Sequence, residues 1–508
     1  MRTRLISLAA AAVGLSLLVA VPAAAGPTRP AGGFVFHGSG YGHGIGIGQF
    51  GMLGLAKQGW AAKRIVRHYY TKVDVGPRQP ARPDVRVGLL QSAGSVKLIA
   101  AHGTFDLALQ SGQIIDTVPS GSRRTIDVTS DRTFRITRPD GTVVGGTTWG
   151  GPSDPVVATR QGDARIRVAD WGHEVGHGML RYDVADAGQG HLVGVIPVED
   201  YLLGIAEVPS SWPKAALGVQ AIAARTYAYW RLAGAERTGC GCDVLSTVAD
   251  QNYVGWDKLA AAGGDRWAGA VRATERIVAT HQGAPIYAAY SSSSGGYTED
   301  IEKVWPGSSP LPYLRGVCDP ADDTAANPSR FWQASFDSGQ VTAGLKPYTG
   351  DIGAVTGFAD WQLGVSGRVT RVTVVGSQGS RVIEGWDIRS GLSLKDTRFS
   401  VNRNLNITGE IRKAYDAAGC RPGRATSGQQ RVRGGRLQRF VEGRIYEHFR
   451  RNTAVWLRGR ILHAYLNAGG HTSRLRLPYR VRQISGGQRA WFDGGTITCS
   501  GRCRVRYG

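Results

Sequence analysis

A change of pattern along the chain constrains its fold most. From residue 84 to about residue 195 the sequence consists of short runs rich in β-branched residues, which are separated by turn signals such as Pro139-Asp140-Gly141. This pattern predicts many short strands. Residues 210–234 then form one Ala-rich run with Pro213 in its first turn and Gly234 at its end, which predicts a long helix. A strand-rich part followed by a helical part predicts an α+β fold.

The segment 34–75 predicts a strand, a Gly-rich loop and a helix. In its loop, glycines alternate with larger residues, so an extended chain would have one face of bare backbone and one face of side chains. A bare face allows another backbone or a flat ligand to approach closely. The alternating residues are Gly42, His43, Gly44, Ile45, Gly46, Ile47, Gly48 and Gln49.

The 508 residues suggest two to four domains, and the net charge of +22 is unevenly distributed along them. Residues 431–508 contain 17 Arg, no Lys and three acidic residues, which gives this part a net charge of +14. Within it, residues 436–448 and 489–500 share a pattern and flank a helix-like stretch, so we expect a small repeat-type module after a linker at residues 421–430. A module with this positive charge is expected to bind a polyanion. The candidate classes are nucleic acid, acidic lipid and an anionic wall polymer.

The first 25 residues have the features of a secretory signal peptide. Arg2 and Arg4 precede an apolar stretch, and small residues end at Ala25. An uncleaved membrane anchor is the alternative interpretation of the same apolar stretch. Export argues against nucleic acid as a partner and favours a wall or surface polymer. We therefore predict a secreted protein of the cell wall or the extracellular space.

Six cysteines agree with export. An even number in an oxidising compartment predicts disulfides, although the sequence does not give their pairing. Cys499 and Cys503 are near enough in sequence to close a small loop. The spacing of Cys240 and Cys242 is not typical of a zinc site, so we predict neither a metal nor a cofactor.

Glu207 is the first candidate for chemistry, because it lies in the turn that precedes the Ala-rich helix. A general acid at neutral pH needs a raised pKa, which here requires burial against apolar neighbours such as Trp212. The alternative is a structural role, in which Glu207 caps the helix. Gln220 and Arg225 lie within the helix, where each either lines a site or supports a neighbouring loop.

Two further groups of residues have weaker signals. The run Ser291–Gly296 lacks the context of a serine nucleophile, and a loop of hydroxyl groups that contacts substrate fits it better. His37 and His43 without a third ligand are weak evidence for zinc.

Several separated motifs together make the sequence similar to a known family. It resembles the stage II sporulation protein D and amidase-enhancer (LytB) family of bacterial cell-wall proteins. One matching motif, at residues 40–51, is usually found late in that family and here comes first. The resemblance therefore implies a circularly permuted domain over residues 26–420, with the permuted motif at residues 34–75. The other motifs that match are residues 201–213, 216–228, 251–255, 290–298 and Val304-Trp305.

The basic module, residues 431–508, resembles LGFP-type repeats of secreted wall-associated proteins. Its matching pieces are Phe440–Tyr446, Gly459–Tyr465, Gly469-Gly470 and Phe492–Ile497. This resemblance implies a wall-binding module that follows the α+β domain.

The family resemblance implies that Glu207 is the catalytic residue of a peptidoglycan lytic transglycosylase. Such an enzyme cleaves between N-acetylmuramic acid and N-acetylglucosamine and leaves a 1,6-anhydro ring, so one carboxyl group serves as both acid and base. Most glycosidases need two carboxyl groups. The residues expected to line the substrate groove are Tyr201, Gln220, Arg225, Tyr227, Ser293, Ser294, His43 and Gln49.

Two alternative functions remain open at this point. The first is a non-catalytic enhancer that binds peptidoglycan and activates a wall amidase. The second is a wall-binding protein without activity, for which the Arg-rich module is the main support. The expected partners are glycan strands of peptidoglycan, anionic wall polymers at residues 431–508 and a wall amidase.

Overall fold

The computed structural model describes residues 33–508. The predicted signal peptide, residues 1–25, lies outside the described residues. Within residues 33–508, no helix is both long enough and apolar enough to cross a membrane. Helices and strands are both abundant, so the prediction of a mixed α+β fold is confirmed.

The first described segment contains the strand, loop and helix that its sequence predicts, and it adds a second helix and two short strands. Its elements are β1 (Phe34–Gly38), β2 (Ile47–Gly48), α1 (Gln49–Lys57), α2 (Ala62–Tyr69) and β3 (Asp74–Pro77).

The strand-rich pattern after residue 84 is confirmed, because the chain forms twelve strands between residues 84 and 197. These are β4 (Asp84–Ala93), β5 (Ser95–His102), β6 (Phe105–Leu109), β7 (Ile114–Val118), β8 (Arg123–Val128), β9 (Phe134–Thr137), β10 (Val143–Trp149), β11 (Val156–Arg160), β12 (Arg165–Val168), β13 (His173–Val175), β14 (Met179–Asp186) and β15 (Gln189–Pro197).

The next part of the chain is mainly helical, and its long Ala-rich helix is confirmed. The helix ends just before Gly234 as predicted, but it begins at Lys214, so Pro213 precedes the helix instead of lying in its first turn. A later helix ends at Ala273, and the chain turns at Arg276, whose φ is 60°, and continues as a strand. The elements are α3 (Val198–Leu203), α4 (Lys214–Ala233), β16 (Val244–Leu245), α5 (Asp257–Ala260), α6 (Gly264–Ala273), β17 (Ile277–His281), β18 (Ala284–Pro285), β19 (Tyr290–Ser291) and α7 (Ile301–Val304).

A smaller group of elements follows a short 3-10 turn at Pro320–Asp322. It consists of β20 (Trp332–Phe336), α8 (Ser338–Thr349), β21 (Val355–Leu363), β22 (Val369–Gly376), β23 (Ser380–Glu384), α9 (Gly385–Gly391) and β24 (Phe399–Val401).

The last part of the chain has two units of similar construction, each with one helix followed by a four-stranded antiparallel meander. The helix of the first unit packs against its own meander, so this unit begins at Gly409, before the basic segment 431–508. The elements are α10 (Gly409–Ala417), β25 (Gln430–Val432), β26 (Gly435–Phe440), β27 (Gly443–His448), β28 (Thr453–Leu457), α11 (Gly459–Asn467), β29 (Pro478–Ile484), β30 (Gly487–Phe492), β31 (Gly495–Ser500) and β32 (Arg502–Tyr507).

Two large sheets contain most of the early strands. The seven-stranded sheet has the order β16-β4-β15-β14-β11-β6-β7, and the six-stranded sheet has the order β10-β9-β8-β5-β12-β13. Apolar residues of both sheets belong to one core, which also includes the apolar residues of α2, α4 and α6. The small side chains of Ala221, Ala224 and Ala228 in α4 are fully buried in this core, as their shared helix face predicts.

The N-terminal strand pairs with late parts of the chain. β1 lies between β20 and β24 in a three-stranded sheet, and β2 pairs in parallel with β19. The Gly-rich loop between β1 and β2 is therefore held against residues 289–294 rather than against its own neighbours in sequence.

The expectation that this loop is extended is wrong. Gly42, Gly44 and Gly46 all have positive φ, so the backbone turns at every second residue. The expected close approach does occur: a Cβ atom on Gly46 would lie 2.1 Å from the carbonyl oxygen of Ala289, and one on Gly44 would lie 2.0 Å from the guanidinium carbon of Arg368. Only glycine fits at these two positions.

All six cysteines lie in disulfides, with the pairs Cys240–Cys242, Cys318–Cys420 and Cys499–Cys503. The predicted small loop at Cys499 is confirmed. The Cys318–Cys420 bond joins the segment after α7 to the segment after α10, and so it anchors the chain just before the predicted linker at residues 421–430. Within that linker Ala425 is buried and forms a β-bridge with Phe440.

We expect Gly46→Ala to destabilise the protein by about 2–5 kcal/mol, because the new methyl group meets a carbonyl oxygen and the backbone is left-handed. Gly59→Ala is a matched control, since Gly59 also has positive φ but has no atom within 4 Å of the added Cβ. This control is expected to cost only about 1 kcal/mol. Urea unfolding of both variants measures the difference, and equal losses would contradict the close approach.

Candidate functional site

A groove with a volume of about 450 Å³ lies where the Gly-rich loop, the turn between α3 and α4, and the strand β19 meet. Four of the residues that the sequence singles out line it together: His43, Gln49, Glu207 and Tyr227. Its remaining lining residues are Tyr41, Gly42, Val248, Ala249, Asp250, Tyr287, Ala288, Ala289, Tyr290, Ser291, Ser292, Trp305, Trp386 and Arg389.

Glu207 lies half-buried in this groove. Its Oε1 atom accepts hydrogen bonds from the backbone N–H of Asn252 at 2.7 Å and from the hydroxyl of Tyr290 at 3.2 Å. Burial raises the pKa of the Glu207 carboxyl, while the hydrogen bonds from Asn252, Tyr290 and Gln49 lower it less. The net effect is a raised pKa, which keeps more of the carboxyl group protonated near neutral pH.

No cationic side chain in residues 33–508 forms an ion pair with Glu207. This distinguishes it from Asp250, a second carboxylate that lines the same groove and that no sequence pattern indicates. Asp250 accepts hydrogen bonds from Arg237 at 2.6 Å, from the backbone N–H of Leu245 at 2.8 Å and from the hydroxyl of Tyr227. Its charge is therefore already compensated.

His43 has both ring nitrogens engaged. Its Nε2 lies 2.9 Å from the carbonyl oxygen of Tyr290, and its Nδ1 accepts a hydrogen bond from the backbone N–H of Ile45. Burial lowers the pKa of His43 to about 4, so the ring is neutral at neutral pH. A neutral ring with both nitrogens used supports the loop and is not available as a base or as a metal ligand.

Aromatic rings form one wall of the groove. The ring of Trp305 lies 5.2 Å from that of His43 and 5.8 Å from that of Tyr287, and Tyr287 in turn packs on Trp230 at 4.6 Å. Such a wall offers flat apolar surfaces beside polar groups, which suits a ligand with both characters.

Five of the predicted groove residues do not line the groove, and two of these, Tyr201 and Gln220, lie behind its wall. Tyr201 is fully buried, and its hydroxyl donates to Gln251, whose amide donates to the hydroxyl of Tyr290 at 3.0 Å. Gln220 is buried and accepts a hydrogen bond from Gln49 at 3.3 Å. These contacts position Tyr290 and Gln49, so Tyr201 and Gln220 act on the groove through other side chains.

Arg225 supports its neighbours and does not reach the groove. It is fully buried and forms a two-pronged ion pair with Glu199, with nitrogen–oxygen distances of 2.8 and 2.7 Å. It also donates to the backbone carbonyl of Val271 at the end of α6. Of the two roles that the sequence left open for Arg225, the structure supports the bracing role.

Ser293 and Ser294 are also fully buried rather than exposed to a ligand. Ser293 donates to Asp322 at 2.8 Å, and Ser294 donates to Asp319 at 2.7 Å. Their hydroxyls are held by carboxylates beneath the groove, whereas Ser291 and Ser292 of the same run line the groove itself.

The structure adds groove residues that the sequence did not indicate. Trp386 and Arg389 come from α9, and the guanidinium of Arg389 lies 4.3 Å from the ring of Trp386. They meet Tyr41, which is almost 350 positions earlier in the chain, and no local pattern reveals such a contact. Tyr290 was visible only as part of a family motif.

Across residues 33–508, no group of three or more His, Cys, Asp and Glu side chains is placed to hold a metal ion.

Part of the chain that forms the groove is similar to a known protein family. Residues 186–281 match the family described as stage II sporulation protein. The match includes Glu207, Tyr227 and Asp250 of the groove. His43 and Gln49 lie outside it.

Three characterised relatives agree with that match. The chain is 29% identical to stage II sporulation protein D of Bacillus amyloliquefaciens over 226 residues, which cover 42% of this chain and 62% of the relative. It is 29% identical to the protein of the same name from Bacillus subtilis (strain 168) over 224 residues, which cover 41% of this chain and 61% of the relative. It is 41% identical to the amidase enhancer of Bacillus subtilis (strain 168) over 135 residues, which cover 26% of this chain and 15% of the relative.

The chain thus spans about three fifths of the length of the two sporulation proteins. The family match and these relatives support the resemblance to the stage II sporulation protein D and amidase-enhancer family.

The carboxyl pair beneath the groove predicts a pH dependence of stability. Burial raises the pKa of Asp319 to about 6 and that of Asp322 to about 7, from 3.8. The folded state therefore holds protons that the unfolded state has released, and the free energy of unfolding falls by a few kcal/mol as pH rises from about 4 to about 7. Chemical unfolding across this range measures it.

Asp322→Asn, which carries no charge, should remove much of this pH dependence, whereas the exposed Asp131→Asn should leave it unchanged. An identical slope in the Asp322→Asn variant and the natural protein would contradict the assignment.

Proposed function

We propose that this chain is a secreted protein that acts on peptidoglycan, and that it is a lytic transglycosylase with Glu207 as its single acid and base. The observation that carries the proposal is the state of Glu207: within the described part of the chain, this groove carboxyl has no cationic partner, and burial raises its pKa. A raised pKa is what a general acid requires near neutral pH.

The proposed reaction uses one carboxyl group twice. Asn252 and Tyr290 both donate to Oε1 of Glu207, so the proton is carried on Oε2. In the first step this proton moves to the glycosidic oxygen, and the bond from that oxygen to C1 of N-acetylmuramic acid breaks. In the second step the C6 hydroxyl of the same sugar attacks C1, and its proton returns to the Glu207 carboxylate. The products are a free hydroxyl on one sugar and a 1,6-anhydro ring on the other.

The other carboxylate of the groove argues against hydrolysis by two carboxyl groups. A second carboxylate must activate water or attack the sugar directly. Asp250 is bound by Arg237, by the backbone of Leu245 and by Tyr227, so its oxygen atoms are occupied. When the C6 hydroxyl of the same sugar is the nucleophile, the reaction needs no second carboxylate.

The groove offers a surface for sugar rings. The rings of Tyr287 and Trp305 form an apolar wall against which the apolar faces of sugars can pack, and Gln49 with Ser291 and Ser292 supply polar groups nearby. We place the glycan strand along this wall, with the bond to be cleaved at Glu207.

The remaining parts of the proposal concern location and architecture. Residues 1–25 direct export, and the basic segment 431–508 binds anionic polymer of the wall as an LGFP-type module. The position of β1 between β20 and β24 supports a circularly permuted domain, because it places the motif of residues 40–51 against residues 289–294.

A second function has its own support. The relative with the highest of the three identities, at 41%, is named an amidase enhancer. On that function the groove binds glycan and the protein activates a wall amidase without cleaving the strand itself.

Glu207→Gln should lower the formation of anhydro-muramyl ends at least about 100-fold, because glutamine cannot donate the proton. Mass spectrometry of digested glycan strands measures these ends. Glu275→Gln is the matched control, since Glu275 is exposed and far from the groove lining. Reducing ends in place of anhydro ends would contradict the transglycosylase. If neither the natural protein nor Glu207→Gln cleaves glycan, and both activate the amidase equally, the result would favour the enhancer.

A further inference from the structure

The last sheet of the chain has two different faces. Toward α11, the meander β29–β32 presents apolar residues such as Ala490, Phe492 and Ile497, which are buried in the core of the module. Toward solvent it presents arginines at alternate positions. Six of these are exposed, and we call the surface that they form the basic face: Arg480, Arg482, Arg489, Arg502, Arg504 and Arg506.

The strand register places these residues in rows across the sheet. One row runs across all four strands and consists, in strand order, of Arg482, Arg489, Thr498 and Arg504. The next row contains Arg480, Trp491, Thr496 and Arg506, and Arg502 lies opposite Ser500 at the end of the sheet. Rows two residues apart along a strand are separated by about 7 Å, and adjacent strands by about 5 Å.

The charge of the basic face is not compensated within the described chain. None of its six arginines forms an ion pair among residues 33–508. The single acid after residue 448 is Asp493, which pairs with His448 and Arg451 away from this face. Because like charges directly opposite each other destabilise a sheet, the pairing of Arg482 with Arg489 has a cost, which a bound anion would offset.

The first unit of the module shows that this charge is not imposed by the fold. Leu437 and Tyr446 occupy the strand positions that Arg489 and Thr498 occupy in the second unit, and both are buried. An exposed sheet face has to be polar to stay in solution. Polarity alone does not require six arginines without an acid, so the face has a further role.

We propose that the basic face binds a phosphodiester polymer of the bacterial wall, which lies across the strands of β29–β32. This rests on the proposed action of the chain on peptidoglycan, and it names the polymer and the surface. The planar guanidinium group donates two parallel hydrogen bonds to a phosphate, and the basic face is built from Arg alone, without Lys. Trp491, which lies under Arg480 at 5.1 Å, supplies an apolar surface for the polymer backbone. A second copy of this chain is a poor occupant, because two basic faces repel each other.

The test uses the full chain with Glu207→Gln, so that the wall stays intact. Purified bacterial walls are pelleted with the protein, and binding is measured against salt concentration. Arg482→Gln, Arg489→Gln and Arg504→Gln together should weaken binding about tenfold or more and make the slope of log K against log salt shallower by about 2. The control changes three exposed arginines outside the basic face to Gln: Arg433, Arg450 and Arg460.

The control variant has the same net charge as the test variant and should bind within about twofold of the parent. Hydrofluoric acid removes phosphodiester polymers from the walls. Walls stripped in this way should bind the parent protein and the test variant equally weakly. Equal weakening by both triple variants would overturn the proposal, because the attraction would then be diffuse. Unchanged binding to stripped walls would also overturn it, as would stronger competition from duplex DNA or phosphatidylglycerol vesicles than from poly(glycerol phosphate).

These results are independent of the chemistry at Glu207. With Glu207 intact, the chain with the three changes on the basic face should still cleave soluble glycan at the normal rate. Absence of cleavage by the natural protein therefore bears on the transglycosylase alone, and loss of wall binding by the variant with three changes bears on the basic face alone.

Discussion

The groove depends on the direct contact between the Gly-rich loop and residues 289–294. Side chains at Gly44 and Gly46 would occupy the space of Arg368 and Ala289, so the loop reaches its position only without them. That contact pairs β2 with β19, and it brings Gln49 and His43 to the same groove as Glu207 from a part of the chain more than 150 residues away. A local property of glycine therefore determines a long-range arrangement of functional groups.

Glu199, Asp250 and Glu207 have environments of two kinds. Glu199 pairs with Arg225, and Asp250 is bound by Arg237 and the backbone, so both have compensated charges. Glu207 is half-buried and has no cationic partner among residues 33–508, and burial is the largest influence on its pKa. Of these three carboxyl groups, Glu207 is the one without an ion pair, and this is why we propose it as the proton donor.

The sequence predicts those features that depend on neighbouring residues. The strands of residues 84–197 and the limits of α4 follow from periodicity, Pro213 and Gly234. The sequence does not predict features that depend on contacts between distant segments of the chain. Asp250, Trp386 and Arg389 lie in the groove, yet no local pattern indicates them. The alternation of glycines with larger residues does not predict the backbone conformation of the loop, because glycine adopts positive and negative φ with similar ease. Arg225, Ser293 and Ser294 matched family motifs, but a motif does not distinguish a residue that touches a ligand from one that supports the wall.

The most direct test of the account is the titration of Glu207 itself, followed by carbon-13 NMR of its labelled carboxyl group in the natural protein and in Tyr290→Phe. The account predicts a pKa above 4.5 in the natural protein, and a higher value in Tyr290→Phe, because that hydroxyl stabilises the carboxylate. A pKa at or below 4.5 in the natural protein would show that Glu207 is ionised near neutral pH, and the proposed acid would then carry no proton to donate.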